Sequence, residues 1–230
     1  MIDIQSLSAI LEAQTLADSL KLIAEKYSKI VFSSSFGQED QVIIDAIFKN
    51  NLPISVFTLD TGRLFQETYE LMDTTKQKYN KSFETFFPNT EKVEALVKEK
   101  GFNSFYYSVE NRKECCGVRK MEPLSRALAG AEVWITGLRS EQSENRSDMP
   151  ILEWDESRNL LKFNPLIRWS YNEVIAYLQA NKVPDNPLHR KGFVSIGCAP
   201  CTRAITEGEQ PRAGRWWWEE SQKECGLHSK

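Results

Sequence analysis

The sequence predicts an α/β fold: a mostly parallel sheet flanked by helices. Two apolar runs, Ile30-Val31-Phe32-Ser33-Ser34 and Ile54-Ser55-Val56-Phe57-Thr58-Leu59, each lead into a polar loop and then a helical pattern. Strands that alternate with helices in this way select a parallel sheet covered on its faces. A third run, Val133-Trp134-Ile135-Thr136, delivers another polar loop to the same strand-end face. Ligands of such sheets bind beyond the carboxyl ends of the strands, where these loops lie.

Taken in order, residues 5–27 read as helix in one or two segments, with Leu7, Ile10 and Leu11, then Leu16, Leu20 and Ile23, at helical spacing. The loop Ser33–Asp40 combines hydroxyls, a glycine and a following helix whose apolar face is Val42, Ile43, Ala46 and Ile47. It lacks the spacing of a Walker loop or a dinucleotide fingerprint. A serine-rich helix cap and a phosphate cradle explain it equally well. The second strand ends at Asp60-Thr61-Gly62-Arg63, before a helical pattern through Tyr69 and Met72. Residues 90–100 form a short amphipathic helix carrying Val93, Leu96 and Val97. Past the third strand, residues 137–150 are a polar stretch suited to a mobile substrate loop. Ile151–Trp154 and Leu160–Phe163 pair as small strands, and Ser170 caps a helix through Val174, Ile175 and Leu178 that ends before Pro184. Residues 1–202 are expected to form one α/β domain, and residues 203–230 a mobile, functional C-terminal tail.

Of the 230 residues 41% are hydrophobic and 27% charged, as in ordinary globular chains, so a core of good size is available. A formal net charge of −3 argues against nucleic-acid binding by bulk electrostatics, so any anion site must come from local clustering of Arg and Lys. No apolar run reaches the length of a membrane span, and Met1-Ile2-Asp3-Ile4 lacks the features of a signal peptide. A cytoplasmic protein with no membrane association is expected.

Five cysteines in such a chain are not expected to form structural disulfides. Four fall in two tight pairs, Cys115-Cys116 and Cys198-Ala199-Pro200-Cys201, which suggests a four-thiolate site for zinc or an iron–sulfur cluster. Adjacent cysteines leave a helix about 100° apart, which strains a compact single-ion site and favours a 4Fe–4S cluster over zinc. Arg119, Lys120 and Arg203 would offset the charge of such a cluster. The fifth, Cys225, stands three residues before His228 and after Arg212 and Arg215. Neighbouring cations favour the thiolate, the form in which cysteine is a nucleophile.

Five stretches together resemble the assimilatory sulfonucleotide reductases. They are Thr58-Leu59-Asp60-Thr61-Gly62-Arg63, Cys115-Cys116-Gly117-Val118-Arg119-Lys120, Ser195–Arg203 with its two cysteines, Gly214–Glu219 and Glu224-Cys225-Gly226-Leu227-His228. The resemblance runs from about residue 30 to the C-terminus. The double cysteine pair looks like the adenylyl-sulfate (APS) reductase branch, since typical 3′-phosphoadenylyl-sulfate (PAPS) reductases keep only the terminal motif. It implies an adenine-nucleotide alpha-hydrolase-like fold, related to ATP pyrophosphatases. Ser34-Ser35-Phe36-Gly37-Gln38-Glu39-Asp40 departs from the Ser-Gly-Gly-x-Asp-Ser loop of those relatives and fits a nucleotide with one phosphate joined to sulfate.

The resemblance further implies reduction of APS to sulfite and AMP, in sulfate assimilation and cysteine biosynthesis. It implies a thioredoxin or glutaredoxin-like dithiol donor and one 4Fe–4S cluster held by Cys115, Cys116, Cys198 and Cys201. Cys225 would be the nucleophile, with His228 beside it. Lys120, Arg146, Arg212, Arg215 and His228 match positions around the phosphosulfate, with Arg139 a further addition. The adenylate would lie over Ser34, Ser35 and Gly37 and the strand end Leu59, Asp60 and Gly62. A PAPS or dual-substrate reductase and a zinc-stabilised nucleotide-binding module are the competing expectations, and self-association is left open.

Overall fold

The computed structural model describes residues 3–142 and 146–220. The N-terminal helical stretch divides into α1 (Ile4–Glu12) and α2 (Leu16–Lys26), because Thr15 accepts from the Asp18 N–H and starts a second helix. There follow β1 (Ile30–Ser34), α3 (Gln38–Lys49), β2 (Ser55–Leu59), α4 (Gln66–Tyr79), β3 (Glu84–Phe86) and α5 (Thr90–Lys100). Next come α6 (Val109–Cys116), a π-helical turn Gly117–Met121, α7 (Glu122–Ala127), β4 (Val133–Ile135), β5 (Leu152–Asp155), β6 (Leu160–Phe163) and α8 (Tyr171–Ala180). At α8, Ser170 and Glu173 form the full capping box that the Ser170 cap foreshadowed.

The strands form one sheet in the order β3-β2-β1-β4-β6-β5. All neighbours are parallel except β5 and β6, which pair antiparallel from Leu152 opposite Phe163 to Asp155 opposite Leu160. The short edge strand β3 has no counterpart in the sequence reading, since Glu84-Thr85-Phe86 carries too little apolar signal to distinguish it from loop. Successive strand side chains alternate between two cores. Phe32, Val56, Val133, Ile135 and Phe163 pack under α1, α2, α3 and α8, whereas Val31, Phe57, Trp134 and Leu160 pack with Leu124 and Leu128 at α7. Burial on both faces is why these strands read as continuous apolar runs. Between α3, α4 and α8, the buried Asp45 carboxylate accepts from Tyr79 Oη at 2.5 Å and Tyr177 Oη at 2.9 Å and pairs with Lys49 at 2.9 Å. No helix among the described residues is long and apolar enough to cross a membrane.

Candidate active site

The sheet changes direction at β1, whose two neighbours, β2 and β4, continue the chain to opposite sides. A crevice forms at the carboxyl end of such a switch point. Here it is a cavity of about 480 Å³, floored by Ser33, Ser34, Ser35 and Gly37 after β1, Thr58 and Leu59 of β2, and Thr136 and Gly137 after β4.

The serine loop is held from below. Asp40, in the first turn of α3, accepts from the Ser35 N–H at 2.6 Å and from Ser35 Oγ at 2.8 Å. Ser34 Oγ accepts from the Phe36 N–H at 3.0 Å, and Phe36 sits at φ +59° with its ring buried 5.0 Å from Phe83. Gly37 is the N-cap of α3 and makes no side-chain cap bond, and it lines the cavity. A side chain on Gly137 would collide with the Asp40 carboxylate, so the glycine after β4 permits this close approach. Burial pushes the Asp40 carboxyl up to about 6, against the downward pull of its two bonds from Ser35.

In the loop after β2, two expected ligand positions take a different role. Asp60 accepts from the Gly62 N–H at 2.8 Å and from Tyr69 Oη at 2.9 Å, and Gly62 supplies the φ of +70° that the turn requires. Neither lines the cavity; they brace the loop. Thr61 between them lines it, with its Oγ1 3.3 Å from Cys198 Sγ. Its carbonyl accepts from Arg119 Nη1 at 2.7 Å, and the Arg63 carbonyl accepts from the Ala199 N–H at 2.8 Å. This loop therefore ties the cavity to both cysteine pairs.

Lys120, Arg139, Arg146, Arg212 and Arg215 all line the cavity. The Arg139 guanidinium is shared by Glu39 at 2.8 Å and Glu141 at 2.9 Å, a pairing that the sequence reading did not foresee. Neutralised in this way, it orders the cavity wall and adds little free positive charge. Arg146 Nη1 donates to Gln142 Oε1 at 2.6 Å. Arg215 is 6% exposed, its Nε has no hydrogen-bond partner among the described residues, and its guanidinium packs against the backbone of Gly197.

All four expected metal ligands line a second, small void, together with Arg63, Arg119 and Lys120. Lys120 thus borders both spaces. The thiols are free of disulfides. Burial raises the Cys201 thiol to about 12 and raises Cys115, whereas at Cys198 the effect of burial is outweighed by Lys120, the Thr61 hydroxyl, Arg215 and Arg119. Among the described residues no group of three or more His, Cys, Asp or Glu side chains is gathered closely enough to hold a metal ion; the sulfurs surround a space instead. The π-helical turn begins directly after Cys116, where consecutive cysteines must both face that space.

Residues 203–219 are bound to this region. Thr202 and Arg215 form an antiparallel bridge, the Trp216 N–H donates to the Cys201 carbonyl at 3.2 Å, and Trp216 is 1% exposed. Trp218 joins Phe105 and Tyr106, while Trp217 is partly exposed. Cys225 and His228 lie outside the described residues, as does part of the expected substrate loop, residues 143–145.

Comparison with known proteins agrees with this geometry. An adenosine 5′-phosphosulfate reductase of Rhizobium meliloti is 52% identical over 219 residues, covering 95% of this chain and 83% of the relative. A phosphoadenylyl-sulfate reductase from Candida auris, solved as a phosphate complex, superposes with a TM-score of 0.76 at 28% identity, over 88% of this chain and 96% of that one. The FMN adenylyltransferase of Candida glabrata, solved with ATP, shares the fold at a TM-score of 0.54 and 15% identity, over 90% of this chain and 74% of that one. The fold is thus adenine-nucleotide alpha-hydrolase-like, as the motifs implied. Residues 29–204 match the family described as the phosphoadenosine phosphosulfate reductase domain, and the chain belongs to that family.

Proposed function

We propose that this enzyme reduces APS to sulfite and AMP through a sulfonated Cys225. The observation that carries the reading is one cavity in which a strand-end serine loop faces Lys120, Arg146, Arg212 and Arg215, on a chain half-identical to proteins named APS reductases. The loop and the backbone N–H groups at the α3 N-terminus suit the adenylate phosphate, and the cationic side chains suit the sulfonyl oxygens.

The Cys225 thiolate attacks the sulfonate sulfur, the S–O bond to the phosphate breaks, and AMP leaves. The cations screen repulsion between two anions and stabilise charge growing on the leaving group. A thiol of a thioredoxin-like dithiol protein then attacks the Cys225 sulfur, and sulfite departs with the bonding pair. The second thiol resolves the mixed disulfide, so the dithiol supplies both electrons and Cys225 returns as thiol. The segment carrying Cys225 must close for the first step and open for the second, which is the motion assigned to residues 203–230. Only the part beyond residue 219 is left for it, since the earlier residues are tied to the body.

Cys115, Cys116, Cys198 and Cys201 would hold a 4Fe–4S cluster. Four soft sulfur donors around one space, bordered by Arg63, Arg119 and Lys120, fit a thiolate-ligated cluster whose negative charge those cations offset. When bound, it would fix the local fold and tune the field at Lys120. Anaerobically purified protein should contain four irons per chain and absorb in the visible, whereas stoichiometric zinc without colour would support the binding-module reading.

Mixing one equivalent of APS with reductant-free enzyme and weighing the intact protein tests the mechanism. A sulfonate adduct should form and should vanish in Cys225→Ser; an adduct that persists in that variant ends the proposal. Competition between APS and PAPS measures the nucleotide preference, for which relatives named for APS favour the non-phosphorylated ribose.

A further inference from the structure

Arg112 stands three residues before Cys115 on α6, in a run of charges that on sequence alone suits a solvated helix face. It is instead 2% exposed, and it donates from Nε and Nη2 to the two carboxylate oxygens of Glu219 at 3.0 and 2.9 Å. Both side chains are buried, at 2% and 4% exposure. A buried ion pair is no better for stability than well-packed hydrocarbon of the same size, so stability by itself does not account for it. What such a pair does supply is a fixed two-point geometry between segments far apart in sequence.

The segment it fixes ends in the cavity. Arg112 Cζ lies 4.6 Å from the Trp216 ring centroid and Arg215 Cζ lies 4.8 Å from it. Trp216 adopts φ +42°, a conformation that a bulky side chain holds only where its surroundings over-determine it. The Glu219 N–H closes the turn onto the Trp216 carbonyl at 2.9 Å. Arg215 at one end of this turn lines the cavity, and Glu219 at the other is the sixth residue before Cys225. At most ~20 Å of extended chain separates Glu219 from Cys225, so the anchor point bounds where the sulfur can reach.

We propose that Arg112 is a positioning residue for sulfonate transfer: through Glu219 and Trp216 it holds Arg215 in the cavity. This rests on the reaction proposed above. Two variants test it: Arg112→Lys, which keeps the charge but loses the fork, and Arg112→Met with Glu219→Met, which removes the two charges together. Adduct formation on Cys225 is timed in a single turnover at saturating APS. Melting is recorded in parallel, together with the affinity for adenosine, which has no phosphate to meet Arg215.

Both variants should melt cooperatively and bind adenosine like the parent, while adduct formation slows at least about tenfold. The double variant reacting at the parental rate, or Arg112→Lys doing so, would overturn the inference. A loss of adenosine binding that parallels the loss of rate would also overturn it, since the cavity as a whole would then have changed. A parent protein that forms no adduct would overturn the reaction itself, and this inference with it.

Discussion

Replacing Gly197 with alanine should separate the anion site from the stability of the fold. The residue has an ordinary backbone conformation, so alanine adds no φ strain there. Its new Cβ would lie 2.3 Å from Arg215 Nη2 and 2.5 Å from Cζ, so the guanidinium must retreat by about 1.1 Å to reach the 3.4 Å of ordinary contact. Arg215 is buried beside Trp216 and lines the cavity, so the displacement is felt there. A displacement of that size at a charge-stabilising side chain costs roughly 10² in rate, or about 2.7 kcal/mol of transition-state stabilisation. The assay is kcat/KM for sulfite release from APS, with a thermal melt of the same preparation. We expect a fall of about two orders of magnitude with a melting point close to the parent's. Activity within about twofold of the parent would refute the reasoning, because Arg215 would then have no part in transition-state binding.

Asp40 binds its proton more tightly when folded, at about 6 against a reference of 3.8, so its contribution to stability is full below about pH 4 and lost as pH rises through 6. Relative to Asp40→Asn, the parent should lose about 2.4 kcal/mol between pH 4 and pH 7, as read from urea unfolding across that range. Arg112→Met alone removes the guanidinium fork from the buried Glu219 carboxylate and should cost about 3–5 kcal/mol, with the Glu219→Met second change recovering most of it in the same measurement. Asp45→Ala removes the acceptor of two tyrosine hydroxyls and should cost about 1–3 kcal/mol in stability. Because Asp45 does not line the cavity, KM for APS should not change, and steady-state kinetics check this.

Much of this arrangement was legible in the chain. A strand buried on both faces must be apolar at consecutive positions, so β1, β2 and β4 declared themselves, while β3, exposed at the edge, did not. The paired cysteines and the Thr58–Arg63 stretch were readable because such chemistry needs fixed spacing. The roles within those stretches were not. Asp60, Thr61 and Gly62 are consecutive, yet only Thr61 meets the cavity and a cysteine, since a tight turn points neighbouring side chains in different directions. Arg139 and Arg215 look alike as letters, but one is neutralised by two carboxylates and the other is buried with an Nε that meets no hydrogen-bond partner among the described residues. Gly137 and Gly197 gave no signal, because each is required by a side chain that approaches from elsewhere in the sequence.

The sequence by itself determined which elements form and which atoms are available for chemistry, since periodicity, caps and motif spacing are local properties. Tertiary structure decided which charges remain available, which residues brace and which bind, and that Arg112 joins Glu219 from 107 residues away. Those outcomes depend on burial and on partners brought together through space, and no local pattern encodes either.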